Sequence, residues 1–257
     1  MRCYLFLFTI LLISCANQKS KPTFAENVVV AHRGAWKAKD LPQNSIASLR
    51  EAIKLKCTGS EFDVRMTADD SLIVTHDAHY NNFDIEETNY SELVQLKLSN
   101  GEELPTLRNY ILAGLSDNLH TRLVCELKSS KSVKRGELIA EKTMELVNKL
   151  NAQSMVIYIS FDYEILKKLE SLDSTVHTQY LKVNKTLENL KEDGINGIDF
   201  SLNSYKNNPN WISIAKKNKL ILNVWTVNKS EDMDLYLKRD FNFITTDEPE
   251  LLLSKGK

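Results

Sequence analysis

Two carboxylates separated by one apolar residue, in Glu61-Phe62-Asp63-Val64, are the first feature of the sequence that points to chemistry. On an extended strand successive side chains face opposite ways, so Glu61 and Asp63 share one face while Phe62 and Val64 share the other. Leu123-Val124-Cys125-Glu126-Leu127-Lys128 repeats the pattern and sets Glu126 and Lys128 opposite Leu123, Cys125 and Leu127. If helices cover the apolar faces, the acids point inward, where unpaired anions are prohibitively costly. A salt bridge to Lys128 or Arg33 accounts for one such acid; three on neighbouring strands are better accounted for by a cation. An oxygen-rich ligand set of this kind suits a hard divalent ion, Ca2+ or Mg2+, with positions left for water and substrate oxygens.

Histidines end two further apolar runs. His32-Arg33-Gly34 closes Val28-Val29-Val30, with the glycine letting the backbone bend sharply, and His76-Asp77 follows Ser71-Leu72-Ile73-Val74-Thr75. Two imidazoles near a metal can act as general base and general acid, because each titrates near neutrality. Asp77 either orients one ring or caps the turn. Trp225 ends another run and either lines the pocket or fills the core. Asp247, just before Glu248-Pro249, reads as the N-cap of the last helix. His79 is close enough to the site for a specificity contact, whereas His120 and His177 show no partner pattern.

These residues need a scaffold that brings several strand ends together. Short β-branched runs alternate with helical patterns, which predicts a parallel sheet with crossover helices. The expected strands are Asn27 to Ala31, Ser60 to Val64, Thr121 to Leu127, Met155 to Ile159, Val176 to Tyr180, Gly197 to Phe200, Leu220 to Trp225 and Phe241 to Ile244. Amphipathic stretches fall between them at Ser45 to Leu55, Lys134 to Leu150, Tyr163 to Leu169, Leu187 to Lys191, Pro209 to Lys217 and Glu231 to Leu237. Eight strands in a chain of 257 residues match the α/β class and its (β/α)8 TIM barrel, which takes about 250 residues and carries its active site at the C-terminal ends of the strands. Asp77 to Asp117 breaks the rhythm, with helical pieces expected around Glu92 to Leu96 and Thr106 to Leu115. A connection this long is read as a functional insertion after the second strand, beside the barrel mouth.

The first residues have a different character. Arg2 is followed by an apolar run from Tyr4 to Ile13 that is too short to cross a bilayer and suits the h-region of a signal peptide. Leu12-Ile13-Ser14-Cys15 resembles a bacterial lipobox, so residues 1–14 are expected to be removed and Cys15 lipidated. Residues 15–26 then form the anchor and tether, and 27–257 the barrel domain. The expected location is outside the cytoplasm, anchored to a bacterial membrane on its periplasmic or cell-surface side. Cys57 and Cys125 are expected as small buried hydrophobes rather than a bridge, being placed at opposite barrel ends. With 33 Lys and Arg against 34 Asp and Glu, the formal net charge of −1 offers nucleic acid no basic surface.

The ordered set His32-Arg33-Gly34, Leu41-Pro42-Gln43-Asn44-Ser45, Glu61-Phe62-Asp63-Val64, Thr67-Ala68-Asp69, His76-Asp77, Leu104-Pro105-Thr106-Leu107, Cys125-Glu126-Leu127-Lys128, Trp225-Thr226-Val227-Asn228 and Thr246-Asp247-Glu248-Pro249 resembles the glycerophosphodiester phosphodiesterase family. The resemblance runs from residue 28 almost to the C-terminus. It implies a (β/α)8 barrel with a small insertion after the second strand. It also implies Glu61, Asp63 and Glu126 as metal ligands, His32 and His76 as the acid/base pair, and Arg33 and Lys128 as phosphate contacts. Two departures stand out. Gln43 and Ser45 replace the family's usual Pro-Glu-Asn-Thr residues, leaving Asn44 to tie down the loop or approach the metal. Ala78-His79-Tyr80-Asn81-Asn82 replaces the usual leucine-and-arginine pattern on the insertion.

The expected activity is metal-dependent hydrolysis of a small glycerophosphodiester to glycerol phosphate and an alcohol. The rival is a phospholipase-like phosphodiesterase or lyase that acts on intact lipid and releases a cyclic phosphate. A non-catalytic binding lipoprotein would have lost one of the five acid/base or acidic positions, and all five are present.

Overall fold

The computed structural model describes residues 21–256; the expected signal peptide and Cys15 lie outside the described residues. The chain runs β1 (Val29–Ala31), α1 (Ile46–Lys54), β2 (Gly59–Met66), β3 (Leu72–Val74), β4 (His79–Tyr80), β5 (Phe83–Asp84), α2 (Tyr90–Leu93), α3 (Leu107–Leu115), β6 (Arg122–Leu127), α4 (Val133–Lys149), β7 (Val156–Ser160), α5 (Tyr163–Leu172), β8 (Thr178–Tyr180), α6 (Leu187–Glu192), β9 (Gly197–Ser201), α7 (Leu202–Asn207), α8 (Asn210–Lys217), β10 (Ile221–Trp225), α9 (Ser230–Lys238), β11 (Phe243–Thr246) and α10 (Pro249–Ser254).

Strands β1, β2, β6, β7, β8, β9, β10 and β11 pair in parallel, and the β1–β2 pairing closes the ring. The expected (β/α)8 barrel is therefore present. Its strands are buried on both faces, with most apolar side chains of β2 and β6 turned outward and the acidic ones inward. Outward residues such as Phe62, Val64, Leu123, Cys125 and Leu127 pack with the helices in the main core. A smaller core inside the ring contains Val30, Val124, Ile157, Ile159 and Leu181, with Phe161, Trp225 and Phe243 against it. Cys57 and Cys125 are free and buried, as small hydrophobes would be.

The long connection after β2 turns back on itself. β3 pairs antiparallel with β2, and β4 and β5 form a separate hairpin. Ile73, Ile85, Leu93 and Leu104 give this segment a small core of its own. At the opposite end of the barrel, Thr23 and Ala25 bond to the backbone of Leu119 and His120, just before β6. The Arg122 guanidinium, at the first residue of β6, lies 3.7 Å from the centre of the Phe24 ring. The chain thus enters at the N-terminal ends of the strands, away from the mouth.

Candidate active site and metal centre

Register explains why the distant motifs meet. Asp63 on β2 stands beside Glu126 on β6, so the inward acids of two neighbouring strands come level. Ala31 pairs with both Ser60 and Thr246, which carries the next residue, His32, between Glu61 and Asp247. One oxygen from each of Glu61, Asp63 and Glu126 lies within 4.8 Å of the others, and all three residues are buried.

The turn after β1 folds over this cluster. Arg33 and Gly34 both adopt the left-handed conformation, and a Cβ on Gly34 would meet Ser48 Oγ at 2.4 Å, so only glycine fits against α1. The Arg33 amide donates to Glu61 Oε2 at 2.8 Å, and its guanidinium Nη1 donates to Gln43 Oε1 at 2.7 Å. Gln43 thus keeps a contact with Arg33 without adding the charge of the family's usual glutamate. Asn44 clamps Asp63 from two sides, donating through Nδ2 to Oδ2 at 2.8 Å and accepting from the Asp63 amide at 3.1 Å. These two contacts tie the loop that carries Asn44 to Asp63. Ser45 accepts from the Ser48 amide and caps α1, fixing the loop that carries Asn44.

Lys128 reaches both neighbouring acids, 2.7 Å from Asp63 Oδ1 and 2.5 Å from Glu126 Oε1, while Arg33 Nε stands 3.6 Å from Asp63 Oδ2. Three carboxylates against two cationic side chains leave one formal negative charge. The imbalance shows at Glu61, and at Glu126 despite its contact with Lys128. Burial, then repulsion from Asp63 and Glu126, raises the Glu61 carboxyl well above the usual range, and its Oε1 has no partner among the described residues. Burial and Asp63 also push Glu126 up, to about 7. Burial works against ionisation of Asp63 as well, yet Lys128 and Asn44 hold its carboxyl below the usual range. Burial and mutual repulsion therefore work against ionising all three acids together, with Lys128 opposing them. The orphaned Glu61 oxygen and the all-oxygen donor set fit a hard divalent cation, whose charge would restore ionisation of all three.

The two histidines flank the acids at the mouth. His32 Nδ1 lies 2.7 Å from Asp247 Oδ1, and Asp247 is gripped in turn by Asn228. His76 Nδ1 lies 2.7 Å from Asp77 Oδ1, so Asp77 contacts the ring it was expected either to orient or to leave for a turn. Burial and the Lys128 charge lower the pKa of His76, with Asp63 and Asp77 opposing them.

Asp247 requires a correction. It was read as an N-cap, but Glu248 holds that position in α10 and the Asp247 carboxylate faces His32 and Asn228 instead. Sequence reading also passed over Asn228 as a functional group and missed Asp199, whose side chain lines the cavity from inside the barrel. The signal for Asp199 was available, since Gly197-Ile198-Asp199-Phe200 has the same alternation as Glu61-Phe62-Asp63-Val64.

The resulting cavity is about 180 Å³. His32, Arg33, His76, Lys128, Glu61 and Glu126 form its charged half. Ile159, Phe161, Leu181 and Trp225 contribute apolar surface, with Asp199 and Thr245 among them. Trp225 therefore lines the pocket as well as packing, edge-on to Phe161 with ring centres 5.6 Å apart. His79 is exposed on the β4–β5 hairpin, 4.0 Å from Asp84.

The model of the glycerophosphoryl diester phosphodiesterase family matches residues 32–251. A glycerophosphodiester phosphodiesterase structure from Parabacteroides distasonis is 35% identical and superposes with a TM-score of 0.85, covering 93% of this chain and 100% of its own. A glycerophosphodiester phosphodiesterase from Caldanaerobacter subterraneus subsp. tengcongensis is 29% identical over 89% of this chain and 97% of the relative. A phosphodiesterase from Oleispira antarctica, solved in complex with sn-glycerol-3-phosphate, shares the fold at 22% identity and a TM-score of 0.79, over 89% of this chain and 96% of its own. The chain belongs to the glycerophosphoryl diester phosphodiesterase family, and it is a phosphodiesterase of glycerophosphodiesters.

Proposed function

We propose that the chain hydrolyses glycerophosphodiesters to glycerol 3-phosphate and an alcohol by metal-dependent catalysis, with His32 and His76 as the acid/base pair. The observation that carries this reading is the convergence of three buried carboxylates within 4.8 Å between two carboxylate-oriented histidines. Glu61, Asp63 and Glu126 would hold Ca2+ or Mg2+, which when bound supplies Lewis-acid polarisation of a phosphate oxygen and of a coordinated hydroxyl. Arg33 and Lys128 offer positive charge to the non-bridging oxygens as negative charge builds on them. Each histidine engages a carboxylate through Nδ1, which leaves Nε2 for chemistry. One ring takes the proton of the attacking oxygen, and the other protonates the leaving alkoxide. The product seen with the Oleispira enzyme, sn-glycerol-3-phosphate, is the one this reaction would release.

Glu61→Gln and Glu126→Gln each remove one anionic ligand at almost constant volume. Both variants are expected to retain the fold by circular dichroism and to lose hydrolysis of glycerophosphocholine, and the wild type to lose it to a chelator and regain it with Ca2+ or Mg2+. Full activity in either variant would falsify the metal-site reading.

Export and lipid anchoring at Cys15 are part of the same proposal. Residues 16–21 can reach at most about 20 Å from the anchor when fully extended. Residues 23–25 run along the strand ends opposite the mouth. An anchor there would turn the mouth away from the membrane, which favours soluble, deacylated diesters over the rival substrate, intact two-chain lipid. Cys15→Ser is expected to move the protein from the membrane fraction to the soluble exported fraction; unchanged membrane retention counts against the anchor.

A further inference from the structure

We propose that Asp199 is a specificity-determining residue whose carboxyl hydrogen-bonds the terminal hydroxyl of the substrate's glycerol unit. The inference rests on the glycerophosphodiester reading above and deepens it. Asp199 lies in the middle of β9 between Ile198 and Phe200, which pack outward into the main core, so its own side chain points into the barrel. It lines the active-site cavity, yet it is only 1% exposed and its Oδ1 has no partner among the described residues. A buried carboxyl oxygen left unpaired is costly, and a ligand in the cavity is one way to satisfy it.

Its neighbours narrow the chemistry of that ligand. Thr245 donates to Asn223 Oδ1 at 3.2 Å, and Asn223 donates to Gln179 Oε1 at 3.2 Å, leaving Gln179 Nε2 as a second buried group without a partner. Of this polar layer Asp199 and Thr245 line the cavity, and an unpaired carboxyl oxygen there suits the hydroxyl of a ligand, which can donate to it. In the same cavity, Ile159, Phe161, Leu181 and Trp225 offer apolar surface to a short carbon chain. The Trp225 indole donates to the Asp199 backbone oxygen at 2.9 Å, which ties this wall to the carboxyl. With phosphate held at the charged half, a glycerol arm crossing the cavity brings its terminal hydroxyl, the group farthest from phosphorus, toward Asp199.

The test is a two-by-two comparison of wild type and Asp199→Val, each assayed on glycerophosphocholine and on the analogue carrying hydrogen in place of the terminal glycerol hydroxyl. The wild type is expected to prefer the hydroxylated substrate by at least about tenfold in kcat/KM, and the variant to reduce that preference to within about twofold. A variant that keeps the full preference overturns the inference, as does a wild type with no preference. If turnover is lost, calorimetric binding of glycerol 3-phosphate and its deoxy counterpart gives the same comparison, and Asp199→Ala replaces the variant if valine disrupts the fold. Losses confined to choline and ethanolamine diesters, with glycerophosphoglycerol spared, would assign Asp199 to the leaving alcohol and also overturn it. A wild type inactive on every glycerophosphodiester defeats the parent reading instead, and that is seen without any variant.

Discussion

His32 and His76 each place Nδ1 2.7 Å from a carboxylate oxygen, but the two pairs are built from different materials. His32 comes from the end of β1 and Asp247 from the end of β11, and only barrel closure brings them together. Their side chains are each 20% exposed, and the Asn228 side chain holds Asp247 twice, donating through Nδ2 to Oδ2 and accepting at Oδ1 from the Asp247 amide. His76 and Asp77 are adjacent in sequence at the start of the insertion, and the Asp77 side chain is 79% exposed. A carboxylate surrounded by water contributes little to holding a partner, whereas a sheltered and buttressed one fixes the ring, its tautomer and its direction. The difference teaches that one member of the proposed acid/base pair is part of the barrel frame, while the other sits on a more exposed rim.

The largest effect expected from this contrast falls on the sheltered side. Asp247→Asn keeps the size of the side chain but removes the charge that accepts the Nδ1 proton of His32, so kcat/KM on glycerophosphocholine is expected to fall about 10- to 100-fold, the range seen when an outer-shell partner of a functional histidine is lost. Losing the imidazole itself, in His32→Ala, sets the ceiling at about 100-fold or more. The comparison breaks if Asp247→Asn is no slower than the matching change at Asp77.

The contrast also marks what a sequence exposes to reading. The eight barrel strands were legible because buried parallel strands are short apolar runs, and each observed strand overlaps its expected one. Glu61, Asp63 and Glu126 were legible for the same reason, since an acid inside such a run has to face inward. Asp77 could be suspected because it adjoins His76. Asp247 could not be paired with His32, 215 residues away, and its place before Glu248-Pro249 mimics a helix start. Asp199 carried the inward signal but stood alone, without a second acid to draw attention. The β4–β5 hairpin and α7 are too short for any period to show, and the small core of Ile73, Ile85, Leu93 and Leu104 joins residues that form no continuous pattern.

The smallest effect belongs to the exposed pair, and it sharpens the comparison through pH rather than rate. Burial and Lys128 already lower the pKa of His76, while Asp77 is among the groups that pull it back up. Asp77→Asn removes that pull, so the His76 pKa is expected to fall further and the ring to stay neutral to lower pH. The limb of the kcat/KM profile that belongs to His76 should then move to lower pH, whichever of the two proton transfers it performs. The rate at the optimum should change by only about threefold or less, in keeping with the weak hold of an exposed ion pair. A full pH profile of wild type and variant checks both statements. A limb that moves upward, or a loss as large as that of Asp247→Asn, would mean that Asp77 grips its histidine as firmly as Asp247 does and that the rim is as rigid as the frame.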